Sequence, residues 1–196
     1  MPKPEDYYSF DDILKESRAV FHNYFKLQTD RKQVMMGMPF ISKSVKPGIC
    51  FAKVCEQMIT NTDPLVYPNV YLTRQMFTLH INYALFLRQV PLDVLIGTII
   101  HEGIHIRLSE FEGHHHSPQF QQEADRYFQV QKADDYLNAN TKVFKRGYPK
   151  IVADFRRFNA QIKDHWPTDV TIKDVVYDRD DINMDLLGTV LAQEKG

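Results

Sequence analysis

The 196 residues predict an α+β domain: a small mixed sheet, an apolar helix bearing the pattern HExxH, and a helical C-terminal extension. Three observations lead there. Apolar residues recur at helical spacing near the start, at Phe10, Ile13, Leu14, Phe21, Tyr24 and Phe25. Phe77, Leu79 and Ile81 alternate with Thr78, His80 and Asn82, which is the period of a half-buried strand. The stretch from Pro91 to Phe120, PLDVLIGTIIHEGIHIRLSEFEGHHHSPQF, then sets His101, Glu102 and His105 inside an apolar run and follows them with His114, His115 and His116.

In chain order, Ser9 is the expected N-cap of a helix through about Thr29 that packs on the sheet. Val34 to Ile41 is apolar but holds a Gly and a Pro, so a short strand or strand edge is expected. Lys46-Pro47-Gly48 is turn chemistry and Ile49 to Val54 a strand, whereas Glu56 to Asn69, with Asn61, Asp63, Pro64 and Pro68, reads as a loop. Val70 to Thr73 and Phe77 to Asn82 read as two further strands. The motif helix should run from Pro91, where a missing N–H costs nothing, to about Glu110, followed by a short loop from Phe111 to His116. Ser117 as N-cap and Pro118 in the first turn open a second helix, with Phe120, Ala124, Tyr127 and Phe128 on its inner face. A short connection forces these two helices to fold back on each other and returns His116 toward His101 and His105. Beyond Asn138, Ile151, Phe155, Phe158 and Ile162 mark one helix, and Ile182, Leu186, Val190 and Leu191 a last one.

A hydrophobic share of 43% and a charged share of 25% are globular values, and the length suffices for a real core. The net charge of -1 provides no overall attraction for nucleic acid or anionic membrane, so any such binding must be local. Cys50 and Cys55 are too few for a disulfide framework and wrongly spaced for a zinc knuckle; they read as reduced packing residues. The polar, acidic start and the absence of a long apolar run predict no signal peptide and no membrane span, hence an intracellular protein.

Two histidines four apart share one helix face, so His101 and His105 can reach a single metal ion, zinc for this donor set. Glu102 cannot share that face; its expected role is general base for water at the metal's open position. A catalytic zinc needs a third protein ligand. His116 is one candidate, placed at the mouth of the second helix, and Glu123 in QQEAD is the other, with Asp125 able to brace a histidine. The ordinary reading of Glu123 is an exposed carboxylate, and of His114 and His115 exposed loop residues. His22, His80 and His165 stand alone as packing or surface residues, with His80 nearest in sequence to the site helix.

The strings PGICF (Pro47 to Phe51), LHIN (Leu79 to Asn82), TIIHEGIH (Thr98 to His105) and GHHHSPQF (Gly113 to Phe120) resemble the SprT-like zinc metallopeptidase domain, the group that includes Spartan-type DNA-dependent proteases. The HSPQF string is also similar to the related YgjP-type metallopeptidases. The resemblance covers about Phe10 to Leu137. It implies a zincin-like fold, His101, His105 and His116 as zinc ligands, and Glu102 as the catalytic residue. QEADRYF (Gln122 to Phe128) is similar to the glutamate-bearing helix of gluzincin peptidases, which keeps Glu123 open as the third ligand.

The expected organisation is a metallopeptidase domain over residues 1–138 and an extension over 139–196 packed on it. No cysteine follows Cys55 in these residues, so the zinc ribbon that ends many SprT-like proteins is not expected within them. Lys142, Lys145, Arg146, Lys150, Arg156, Arg157 and Lys163, interleaved with Phe144, Tyr148, Phe155 and Phe158, form the candidate DNA contact; the ordinary reading is core aromatics and a solvated cationic face. The expected function is zinc-dependent endopeptidase action on protein or peptide, with DNA-associated or DNA-crosslinked protein as the implied substrate. The alternatives are a non-catalytic zinc-containing module that binds DNA or a protein, and a gluzincin-type regulatory protease that cleaves a transcription factor. The sheet edge that would hold an extended substrate is assigned to Phe77 to Asn82.

Overall fold

The computed structural model describes residues 6–25, 32–43, 45, 48–62, 71–108, 116–162 and 170–173. Its first helix, α1 (Phe10–Asn23), begins with a reciprocal cap. The Ser9 hydroxyl accepts from the Asp12 N–H at 3.1 Å, and the Asp12 carboxylate accepts from the Ser9 N–H at 2.9 Å. Ile13, Leu14, Val20 and Phe21 form its buried face. The helix stops at Asn23, with Tyr24 as its cap, short of the expected Thr29.

Strands β1 (Lys32–Met36), β2 (Ala52–Thr62), β3 (Tyr71–Ile81) and β4 (Val170–Lys173) form one mixed sheet in the order β2-β3-β1-β4. β1 runs parallel to β3, with Val34 opposite Phe77 and Met36 opposite Leu79, and β4 runs antiparallel to β1. The anticipated alternation holds, since Phe77, Leu79 and Ile81 are all buried. Three expectations change. Glu56 to Thr62 belongs to β2 rather than to a loop, and the two strands expected between Val70 and Asn82 are the single strand β3. One continuous antiparallel ladder, from Ala52 opposite Ile81 to Thr62 opposite Tyr71, explains both: backbone pairing carries polar residues that alternation alone assigns to loops. β3 is therefore an inner strand, and Phe77 to Asn82 is not a sheet edge; the edge beside the later helices is β2.

A 3-10 turn (Tyr83–Phe86) leads to α2 (Leu92–Leu108), followed by α3 (Pro118–Ala124) and α4 (Phe128–Ile162). α3 opens as expected, with Ser117 accepting from the Phe120 N–H at 3.1 Å and Pro118 in its first turn. It ends after seven residues, and Phe128 starts a new helix with 70% of its surface exposed instead of facing inward. α4 then runs 35 residues, straight across position 138 and through Pro149. Its apolar face, with Phe144, Tyr148 and Ile151 buried and Phe155 and Phe158 partly so, outweighs the missing N–H of Pro149. The last helix expected, around Ile182 to Leu191, lies outside the described residues.

The sequence of α2 is apolar all round, and the helix is packed on by α1, β2, α3 and α4. Two glycines permit this. A Cβ at Gly97 would collide with the Gln129 carbonyl and Ala133 of α4, and one at Gly103 would enter the Phe25 ring. Gly97→Ala should therefore cost about 3 kcal/mol by overpacking. Gly147→Ala, where nothing meets the added methyl, should gain roughly 0.5–1 kcal/mol from helix propensity. Urea unfolding of the two variants checks both signs; equal effects would contradict the close α2–α4 approach.

Candidate metal centre

Asp93 and Arg107 near the two ends of α2 are exposed, whereas in its middle Glu102 is buried and His101 and His105 are half-buried at the wall of a cavity. His101 and His105 lie one turn apart with ring centroids 5.1 Å from each other. The capped start of α3 brings His116 to 4.8 Å from the His101 ring and 5.1 Å from the His105 ring. Ligand atoms of all three imidazoles lie within 4.8 Å of one another. Phe120, one turn beyond His116 and 1% exposed, forms the floor: its ring stacks on His116 at 4.0 Å and 11°, and lies 4.4 Å from His105. The spacing of HSPQF thus serves a cap, a ligand candidate and its platform together.

Glu123, the other candidate ligand, has a different employment. Buried rather than exposed, its carboxylate receives Arg107 from the end of α2 and Arg126 at 2.7 Å, and the Tyr127 hydroxyl lies 3.4 Å away. This ties α3 to α2 and holds the His116 end of α3 over the site helix. Asp125 is exposed at the end of α3, and its N–H donates to the Gln121 carbonyl. His80 lies on β3 with Nδ1 3.0 Å from the Met38 carbonyl, and His22 is exposed on α1. His114, His115 and His165 lie outside the described residues.

A cavity of about 520 Å³ opens between the three histidines and Gly48 to Val54, and also touches Glu102, Thr98, Asp134 and Leu137. Its β2 wall is held by Asn82. This fully buried amide donates to the Cys50 carbonyl at 2.7 Å and the Tyr148 hydroxyl at 3.0 Å, and accepts from the Ala84 N–H at 3.0 Å. Sequence reasoning did not find Asp134: it is the first of two adjacent aspartates in a helix, and no spacing relates it to the motif. Cys50, read as a packing residue, is exposed in the same wall, with its thiol 3.0 Å from the Ala52 carbonyl.

Burial sets the charges. His101 is pushed down to about 3 by burial and by the neighbouring His105 and His116, so its ring is neutral and able to bind metal. Burial lifts Glu102 to about 8. Glu102 is 7% exposed, and among the described residues it has no hydrogen-bond or ion-pair partner. Cys50 and Asp134 are both exposed at the cavity mouth, and partial desolvation there raises the Cys50 thiol, as does the charge of Glu102, and raises the Asp134 carboxyl against the opposing pull of His116. Three converging imidazoles, one of them held neutral, are arranged as a site that could hold a metal ion, with the buried Glu102 carboxyl lining the same cavity.

Comparison with protein-family profiles, curated proteins and solved structures finds no match to this chain.

In the metal-free protein the two shifted groups oppose each other. His101 takes up protons on unfolding between about pH 3 and its ordinary 6.5, so stability rises with pH across that window. Glu102 loses its proton on unfolding between 4.5 and about 8, so stability falls with pH there. A plateau between pH 4.5 and 6.5 is expected, with a decline above it of at most about 1.4 kcal/mol per pH unit. Melting temperatures of the chelated protein from pH 4 to 8.5 test this. Glu102→Gln should remove the decline; a gap from wild type that is the same at pH 4.5 and pH 7.5 would contradict it.

Proposed function

We propose that the protein is a zinc-dependent endopeptidase with a zincin-like fold of the SprT-like kind. One observation carries the reading: three imidazoles converge beside a buried, unpartnered Glu102 at the wall of a cavity whose opposite side is an edge strand. The engagement of Glu123 by Arg107 and Arg126 favours His116 as the third ligand and weighs against a gluzincin-type site. Zinc held by the three histidines supplies Lewis acidity to water and to the substrate carbonyl. Glu102 takes the proton of the attacking water on a carboxylate oxygen and delivers it to the amide nitrogen as the C–N bond breaks. The outer edge of β2 receives the substrate as an added strand, which presents a peptide bond without demanding a particular sequence. A metal site kept only for structure has no use for a free carboxylate at Glu102, which disfavours the non-catalytic alternative.

Zinc content and casein cleavage of purified variants test the assignment. Glu102→Gln should retain about one zinc per chain and lose cleavage roughly 10²–10⁴-fold. His116→Ala should lose zinc, whereas Glu123→Ala should keep zinc and lose stability. Zinc binding that survives His116→Ala and disappears in Glu123→Ala would reverse the ligand assignment.

The partner surface in this reading is the outer side of α4. At 100° per residue Lys142, Lys145, Arg146, Lys150, Arg156 and Arg157 fall within an arc of about 140° extending about 22 Å along the axis. Asp154 of α4 is buried on the flank of this arc, 2.8 Å from the Tyr7 hydroxyl and 3.3 Å from Lys150. Phe144, Tyr148, Phe155 and Phe158 point into the core, so this face would grip phosphates and read no bases. Lys163 lies outside the described residues. Replacing Arg146, Arg156 and Arg157 together with Ala should reduce the slope of log K against log salt for DNA by about 2 to 3, with zinc content unchanged. An unaltered slope would remove DNA from this face.

A further inference from the structure

The histidine cavity contains a second carboxylate that the hydrolytic chemistry does not use. Asp134 projects from a firmly seated part of α4. Its neighbour Ala133 is 1% exposed at the Gly97 contact, Val130 is equally enclosed, and Lys132 forms an ion pair with Asp93 in the first turn of α2 at 2.5 Å. Leu137, one turn further on, lines the same cavity. Among the described residues the Asp134 carboxylate has neither a hydrogen bond nor an ion pair, and it makes none to His116, although that ring is close enough to feel its charge. Lys53, the lining cation, belongs to the β2 wall, where its ammonium lies 4.9 Å over the Phe40 ring.

Asp134 is solvent-exposed, yet it lines the cavity together with Ile49, Phe51 and Leu137, and among the described residues no Lys or Arg is paired with it, so it is placed to receive a positive charge entering from solvent. We propose that Asp134 is a specificity-determining residue that receives a substrate ammonium or guanidinium group near the bond to be cut. This rests on the peptidase reading above. The cation has two possible sources, a Lys or Arg side chain or the free amino terminus of a peptide, and an acidic side chain at the same point is repelled. Asp134 would orient substrate and not His116, since it donates no support to that ring.

The test uses the zinc-loaded full chain and neutral peptides through which a single Lys, Arg, Ala or Glu is moved across the scissile region, each with a free and an acetylated amino terminus. Wild type should cleave the best Lys or Arg peptide about tenfold faster, by kcat/KM, than its Ala counterpart, with Glu slowest. Asp134→Asn should bring the Lys-to-Ala ratio near one, and Asp134→Lys should favour Glu. A preference that follows the side chain identifies Lys or Arg as the cation; one abolished by acetylation identifies the amino terminus. Equal rates for all peptides in wild type, an equal loss for all peptides in Asp134→Asn, or loss of zinc from that variant would overturn the assignment. If wild type cleaves no peptide, the peptidase reading fails first, and equilibrium binding of the same peptides then decides on Asp134. Tighter binding of Lys than Glu peptides that disappears in Asp134→Asn sustains it, and equal binding overturns it.

Discussion

The close packing around the middle of α2 is the constraint from which the rest follows. Between its exposed ends, a helix packed by α4 at Gly97 and by Phe25 at Gly103 has little outer face, so Glu102 is buried and His101 and His105 are half-buried at the wall of a cavity. Desolvation then does the chemical work: it strips the proton from one imidazole and disfavours charge on the carboxylate. Both groups gain from a divalent cation, which accepts the neutral ring and stabilises the ionised acid. The metal-free centre is thus held in a state that metal relieves.

Three ties bring separate parts of the chain to this helix. Glu123, clasped by Arg107 and Arg126, seats α3 and with it His116 on its Phe120 platform. Asn82, at the end of β3, anchors the segment leading into β2 and reaches α4 through Tyr148. The Gly97 contact fixes the beginning of α4, whose cavity-lining residues close the remaining side. α4 consequently belongs to the site for its first third and carries cations outward for its second half, so that residues on both sides of position 138 share one rigid element.

The legible features were those determined locally. Ser9 with Asp12, and Ser117 with Pro118, mark helix starts because capping is settled within three or four residues. His101 and His105 were legible for the same reason, and His116 because the Ser117 cap fixes the residue before it. Features set by distant partners were hidden. Glu56 to Thr62 joins a strand only because β3 continues alongside, and Pro149 remains in a helix only because the core accepts Tyr148 and Ile151. The fate of Glu123 depended on Arg107, sixteen positions earlier, and Asp134 acquired its place from packing at Ala133. Neither contact leaves a periodic trace in the chain.

An edge strand that accepts a substrate main chain accepts any main chain, including that of another copy of this protein. β2 ends the sheet on one side, with its backbone groups beyond the last described neighbour directed away from β3. Lys53, set in the part of β2 that borders the cavity, counters this self-association: two copies meeting there in antiparallel alignment would bring like charges together. A like-charged pair at that point would cost an edge-to-edge contact between two copies more than it would cost a pairing with a neutral strand.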